Sequence, residues 1–319
     1  MALFIRLTLL IICSLPIHFL VAQNSFTVIP LGVKGGSDES NLSAYLVAVK
    51  GKQNFLCLDA GTVYSGLQKA ITNKQIVGKN AATVLKNNIK GYFISHGHLD
   101  HVSGLIINSP EDSAKPIYAL PEVLKVLREK YFTWDSWANF TNEGEPPLLK
   151  KYTYKRLDTI SEQEIDGTDL LLKTFELSHV YPQKSTAVLI NHNNNYILYL
   201  GDTGADAVEK TDNLYKLWQH IAPLIDQQKL KGIMIEVSFP DSQPKDLLFG
   251  HLTPGLLMQE LAVLAGMCKS VASLKGLPVV ITHMKPKGDN ELKIRKELQK
   301  NNKLGVKLIF PTQAQKIIL

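Results

Sequence analysis

Residues Ile94 to Gly104 read ISHGHLDHVSG, which gathers three of the chain's nine histidines and one aspartate between His96 and His101. Imidazole and carboxylate are the donor types that a borderline cation such as zinc accepts, at roughly 2.0–2.2 Å. Successive residues of one loop can face different centres, so His96 and His98 are expected to face one ion and Asp100 and His101 a second. Each ion then needs donors from distant sequence. The candidates are His179, Asp202 and His283. An aspartate such as Asp202, in LGDTG, can bridge two cations through its two oxygens and set them about 3.5–4 Å apart. His18, His192 and His220 stand outside any such pattern and are given no role.

The elements that must position these side chains follow from hydrophobic patterning. FTVIPLG, LSAYLVAV and NFLCLDAG are short β-rich runs separated by Gly, Ser and Asn turns. Helices are predicted around Leu67 to Ile76 and Ala81 to Asn87, then a strand, GYFIS, ending at His96. That places the histidine motif where a strand runs into a loop. PIYAL reads as a strand, and PEVLKVLREKYF as a helix opened by Pro121. KYTYKRL, DLLLKTFELSH, STAVLINH and NYILYLGD are strand-like, with His179 and Asp202 at or just past strand ends. KGIMIEVSF is a strand carrying Glu236, TPGLLMQELAVLAGMCKS a helix just after His251, and LPVVITH a strand ending at His283. Strands and helices alternate in two successive blocks, which predicts an α/β sandwich built from two halves.

The 319 residues are 45% hydrophobic and 20% charged, a globular composition. The first 22 differ: Arg6, the apolar run Leu7 to Leu15, then Leu20-Val21-Ala22 before Gln23. This reads as a signal peptide cleaved after Ala22, leaving residues 23–319 as one catalytic domain. Spanning a bilayer takes about 20 apolar residues, and Pro16 and His18 interrupt this stretch. Lipidation at Cys13 is not expected, because Ile12 stands where a lipoprotein signal carries a small residue. Cys57 and Cys268 make no disulfide framework and are expected as buried free thiols. The mature protein is therefore expected to be exported, periplasmic or secreted, without stable membrane association. The formal net charge is +6, but the lysines are spread out. Their densest group, Lys285 to Lys307, has the alternating charge of a wet helix face, so no nucleic-acid polymer is expected as a partner.

HGHLDH resembles the metal motif of the metallo-β-lactamase superfamily, and the later SH, GDTG and ITH fall in that superfamily's order. The resemblance covers nearly the whole chain after the leader. It implies an αββα sandwich, two mixed β-sheets flanked by helices, with a binuclear zinc site at one edge of the sheets. LDAGT, Asp59 to Thr62, resembles the strand-end motif whose aspartate supports the metal site from behind. A narrower match is HGHLDHVSGLIINSP, His96 to Pro110, which is similar at every specified position to the signature of class II cyclic-nucleotide phosphodiesterases. GGSDESNLSAYLV, YFTWDSWANFTNEG, IEVSFP, FGHLTP and ITHMKP are also similar to that family's segments.

This resemblance implies hydrolysis of a small 3′,5′-cyclic nucleotide, cAMP or cGMP, to the 5′-nucleotide, with two Zn2+ ions as cofactors. Two cations beside the phosphoryl oxygens offset the charge that attack builds there and lower the pKa of a water. The ligand set it implies is His96, His98, Asp100, His101, His179, Asp202 and His283. Catalysis is expected to rest on His251, Glu236 and Asp100. By similarity to the tRNA 3′-processing enzymes, His251 would protonate the leaving oxygen and Glu236 would orient it. The alternative makes His251 a ligand in place of His283. Two further readings stay open: the aromatic insert Tyr131 to Phe140 either stacks on a base or forms a small core, and Lys285 either meets a phosphate or is solvated. The competing functions are a tRNA 3′-processing-type phosphodiesterase and another hydrolase of this superfamily.

Overall fold

The structure, a computed structural model, describes residues 25–319, so the predicted leader at 1–22 lies outside the described residues. In chain order the first half supplies strands β1 (Phe26–Gly32), β2 (Ala44–Val49), β3 (Phe55–Leu58), β4 (Ile89–Phe93), β5 (Lys115–Ala119) and β6 (Tyr152–Arg156). The second half supplies β7 (Gln163–Ile165), β8 (Leu170–Ser178), β9 (Lys184–His192), β10 (Asn195–Leu200), β11 (Leu230–Glu236), β12 (Pro278–Thr282) and β13 (Lys307–Ile309). A final strand, β14 (Ile317–Ile318), returns to the first half. Two seven-stranded sheets result, in the orders β14-β1-β2-β3-β4-β5-β6 and β13-β12-β11-β10-β9-β8-β7. Each is antiparallel on one side and parallel on the other, with β3 to β6 and β10 to β13 as the parallel runs.

The central strands are buried on both faces, which is why they read as continuous apolar runs. Alternation sorts them into layers. Met234, Val280, Val47 and Phe93 fill the space between the sheets. Their neighbours Ile233, Ile235, Val279 and Ile281 face the helices of the second half, and Leu46 and Tyr92 those of the first. Each fully buried Val, Leu or Ile contributes about 1.5–3 kcal/mol, so three contiguous apolar layers, rather than any polar pair, hold the architecture together.

The first half carries helices α1 (Tyr64–Thr72), α2 (Ala81–Asn87), α3 (Leu99–Asn108) and α4 (Pro121–Val126). The second carries α5 (Asp206–Glu209), α6 (Asn213–Asp226), α7 (Pro254–Met267) and α8 (Asn290–Asn301). In α6 the buried stripe Leu214, Leu217, Trp218, Ile221 and Ile225 has the spacing of one helical face. Thr253 caps α7, and Pro254 occupies its first turn. Helix α8 buries only Ile294 and Leu298, as a wet face requires.

Three expectations need correction. The histidine motif is not all loop: β4 stops at Phe93, and Asp100 and His101 already lie in the first turn of α3. The first predicted helix ends at Thr72, four residues short of Ile76. Both cysteines are free, but only Cys57 is buried; Cys268 is half-exposed at the end of α7. Among the described residues no helix is long and apolar enough to cross a membrane.

Candidate metal centre

The two halves bring their strand ends to one edge. Asp59 follows β3, His96 follows β4, Asp202 follows β10, Glu236 ends β11 and His283 follows β12. Parallel strands present such residues at their carboxyl ends, where open α/β sheets build sites.

Two sets of donors meet there. In the first, His96 Nε2 lies 3.1 Å from His98 Nδ1, and His179 Nε2 lies 3.3 Å from the same atom. Asp202 Oδ2 stands 3.7 Å and 3.8 Å from His96 and His179. In the second, His283 Nε2 lies 3.1 Å from Asp100 Oδ2 and 3.3 Å from Asp202 Oδ2, while His101 Nε2 lies 3.3 Å from Asp202 Oδ1. Donors at the corners of a tetrahedron about a zinc ion would stand about 3.3–3.5 Å apart, so both sets have the spacing of a shared cation. His101 Nε2 and Asp202 Oδ1 are also buried without a hydrogen bond among the described residues. Such orphaned atoms are costly unless something else satisfies them.

Electrostatics point the same way. Burial pushes the imidazoles of His96, His98 and His179 down, the last to about 4, which keeps the lone pairs that ligation needs. Burial would also lower His101, but the carboxylates of Asp202, Asp59 and Asp100 outweigh it and hold His101 well above its usual range. Burial would raise Asp100 and Asp202; nearby histidines, His101 foremost for Asp100 and His283 for Asp202, instead hold both below the carboxylate range. The site calls for positive charge at its centre.

Behind the donors, each half of the chain places a buried carboxylate with a serine. Asp59 accepts from Ser95 N and Ser95 Oγ, both at 2.7 Å, and from Tyr199 Oη at 2.6 Å, and its Oδ2 lies 2.7 Å from His101 Nδ1. Its φ of +51° is strained by about 1–3 kcal/mol. Hydrogen bonds to a charged group contribute about 1.5–3 kcal/mol each, so the contacts outweigh the strain. With His101 Nδ1–H donated to Asp59, Nε2 is the atom left to face the centre, where a bound cation would take the place of its proton. Ser95 Oγ also lies 3.0 Å from His96 Nδ1. In the second half, Ser238 Oγ donates to Glu236 Oε2 at 2.7 Å and lies 2.9 Å from His283 Nδ1. His179 Nδ1 is 2.9 Å from the Gly250 carbonyl.

His251 is placed differently. Its Nδ1 is 2.7 Å from Glu236 Oε1 and 3.8 Å from Asp202 Oδ2. Burial opposes charge on both partners, lowering His251 to about 4 and raising Glu236 to about 7. His251, Asp202 and His283 are close enough to form a third donor group, yet the contacts of His283 to Asp100 and Asp202 are the shorter ones.

All seven candidate ligands, together with Glu236 and His251, therefore converge. Reasoning from sequence missed Ser95, Ser238 and Tyr199 as supports, although Ser238 lies within IEVSFP. It also missed Gly35 and Gly36. Gly36 N donates to Asp100 Oδ2 at 2.9 Å, and a Cβ on Gly35 would come within 2.2 Å of the His283 ring.

An open cavity of ≈480 Å³ lies over the centre, lined by His98, Asp202, His251, Phe239, Phe249 and Lys285 among others. The aromatic insert resolves toward the core. Phe132 is fully buried, with Tyr131, Trp137 and Phe140 packed on the same cluster. Trp137 Nε1 donates to Ser109 Oγ at 3.0 Å, and none of these residues lines the cavity. Lys285 does line it, with Nζ 5.8 Å from the centroid of the Phe239 ring.

Comparison with known proteins agrees with this geometry. The family profile described as cAMP phosphodiesterases class-II matches residues 24–314. A 3′,5′-cyclic-nucleotide phosphodiesterase of Aliivibrio fischeri is 41% identical over 98% of this chain and 98% of its own. The crystal structure of unliganded yeast PDE1 superposes with a TM-score of 0.80, at 23% identity, over 93% of this chain and 100% of that one. The metallo-β-lactamase fold protein YhfI from Bacillus subtilis gives a TM-score of 0.61 at 14% identity, over the same 93% and 100%. The chain belongs to the class-II cAMP phosphodiesterases, a family of hydrolases built on the metallo-β-lactamase fold.

Proposed function

We propose that this protein hydrolyses 3′,5′-cyclic nucleotides, cAMP or cGMP, to 5′-nucleotides with two zinc ions. His96, His98, His179 and Asp202 would hold one ion; Asp100, His101, His283 and Asp202 would hold the other. The observation that carries the reading is Asp202: its two oxygens stand between both donor sets, and Oδ1 is buried without a hydrogen bond. When bound, the ions would offset charge on the phosphoryl oxygens and bring the pKa of a water toward neutrality.

The chain's own residues do the rest. Asp59 and Ser95 fix the rings of His101 and His96, and Ser238 fixes His283, so the centre needs no reorganisation when substrate arrives. With Glu236 raised and His251 lowered by burial, Glu236 would carry the proton it shares with His251 Nδ1, and the Nε2–H of His251 would pass to the departing 3′ oxygen as Nδ1 takes the proton of Glu236. Lys285 on the cavity wall supplies a cation for the phosphate.

We further propose that residues 1–22 are a cleaved signal peptide and that residues 23–319 act as one catalytic domain outside the cytoplasm. Its substrate would be a small molecule rather than a nucleic-acid polymer. Support comes from Arg6, the apolar run Leu7 to Leu15 and the small Ala22. The test is hydrolysis of cAMP and cGMP by Gln23 to Leu319 with and without a chelator, products being separated by chromatography. Chelator-sensitive release of the 5′-nucleotide is expected; absence of turnover by folded, zinc-loaded protein would overturn the reading.

A further inference from the structure

Phe249 combines two features that, among the described large hydrophobic residues, it shares with Trp134 and Val180; of the two aromatic ones, it alone lines the cavity over the centre. Its side chain is 58% exposed, and its backbone has φ of +51°, the left-handed region that a bulky residue avoids. Neither core packing nor backbone preference accounts for a phenylalanine here. Exposed aromatic surface held on a strained backbone is the pattern of a functional position. The segment cannot relax by sliding away: a Cβ on the next residue, Gly250, would meet Val180 N at 2.4 Å, and the Gly250 carbonyl is taken by His179 Nδ1.

Chemistry then says what the ring faces. In a 3′,5′-cyclic nucleotide the leaving 3′ oxygen belongs to the ribose, so the group that protonates it must stand on the ribose side of the phosphorus. His251 follows Phe249 by two residues, and both line the one cavity. The Phe239 ring, only 8% exposed, has its centroid 5.8 Å from that of His251, which gives this wall a rigid apolar floor. The nucleoside must therefore lie along the wall that carries Phe249. The aromatic insert offers no competing platform in this cavity: Tyr131, Phe132, Trp137 and Phe140 pack on the outer core, and Trp134, although 41% exposed, does not line it.

We infer that Phe249 is a specificity-determining residue that stacks on the nucleobase of the bound cyclic nucleotide. The inference rests on the phosphodiesterase reading above. A flat π face accepts any purine, so the ring would favour nucleotides over base-free phosphodiesters without separating cAMP from cGMP.

The test compares cAMP with the 3′,5′-cyclic phosphate of 1-deoxyribose, which keeps the ring and leaving oxygen but has no base. Phe249→Ala should raise KM for cAMP about tenfold or more, leave kcat within a few-fold and leave kcat/KM for the base-free compound unchanged. Phe249→Trp should restore the cAMP value. Phe249→Gly, which removes the positive-φ strain, should melt no lower than the parent yet lose the same preference for cAMP. An equal loss on both substrates, or no change on cAMP, overturns this proposal alone. A parent enzyme that turns over neither substrate overturns the phosphodiesterase reading and this inference with it.

Discussion

Ser238 donates its hydroxyl to Glu236 across 2.7 Å, and so turns its oxygen lone pairs toward Nδ1 of His283, 2.9 Å away. Ser95 stands in the same relation to Asp59 and His96 in the other half of the chain. Each half thus uses one buried carboxylate to orient two imidazoles: Asp59 holds His101 directly and His96 through Ser95, while Glu236 holds His251 directly and His283 through Ser238.

Removing either relay should loosen the centre rather than unfold the chain. Ser238→Ala leaves His283 Nδ1 and Glu236 Oε2 each short of a partner, at a cost of about 1–3 kcal/mol. Metal affinity should fall about 10–100-fold, as is usual when a partner behind a ligand is lost. Denaturant unfolding and competition with a chelating dye measure the two effects separately. Asp59→Asn should behave in the same way at the other half.

Gly35→Ala tests how tightly the His283 ring is confined. The added Cβ would lie 2.2 Å from Cε1 and 2.6 Å from Nε2 of His283, so the ring must move. Displacement of a catalytic group by about 1 Å costs on the order of 10²-fold in rate. Steady-state hydrolysis should show that loss while circular dichroism stays that of the parent.

His251 and the motif residues should separate by metal content. His251→Ala should slow turnover about 10²–10⁴-fold with bound metal unchanged, whereas Asp100→Ala and His101→Ala should abolish turnover and lose metal with the fold retained. Elemental analysis beside the kinetics decides it: one metal equivalent missing from the His251 variant would make that residue a ligand.

Stability should fall steeply above pH 10. Burial first, and then the carboxylates of Asp59 or Asp112, raise the phenols of Tyr45, Tyr92, Tyr152 and Tyr199 far above their ordinary value. The unfolded chain gives up these protons near pH 10, but the folded chain keeps them, so the folded state binds more protons in that window and loses stability as pH rises. Each phenol contributes about 1.4 kcal/mol per pH unit, or roughly 5 for the four together. Urea midpoints between pH 9 and 11 give the slope, and tyrosinate absorbance should rise only with unfolding.

The donor types, their order and their grouping were legible in the sequence because ligands cluster at strand ends, and strand ends show as apolar runs closing on polar residues. His96 to His101, His179, Asp202 and His283 could be named on that ground, and Asp59 as a support on resemblance. The α/β sandwich followed from alternation in two blocks. Positions that depend on through-space contact were not legible. That α3 begins at Leu99 is masked because its first turn carries histidine and aspartate, although Val102, Leu105 and Ile106 further on have the spacing of one buried helical face. Ser95 and Ser238 are ordinary serines until a carboxylate and an imidazole are brought to either side.

What the sequence by itself determined is therefore the chemistry: two sets of nitrogen and oxygen donors, and strands long and apolar enough to bury both sides. Tertiary structure alone decided which of these groups meet. Donors separated by as many as 183 residues, as Asp100 and His283 are, stand 3.1 Å apart only because β4 and β12 end at the same edge of two packed sheets. His251 has Glu236 at its Nδ1 and stands 3.8 Å from Asp202 Oδ2, against 3.3 Å for His283. Local patterning specifies which groups a segment carries; long-range packing specifies which lone pairs face one another.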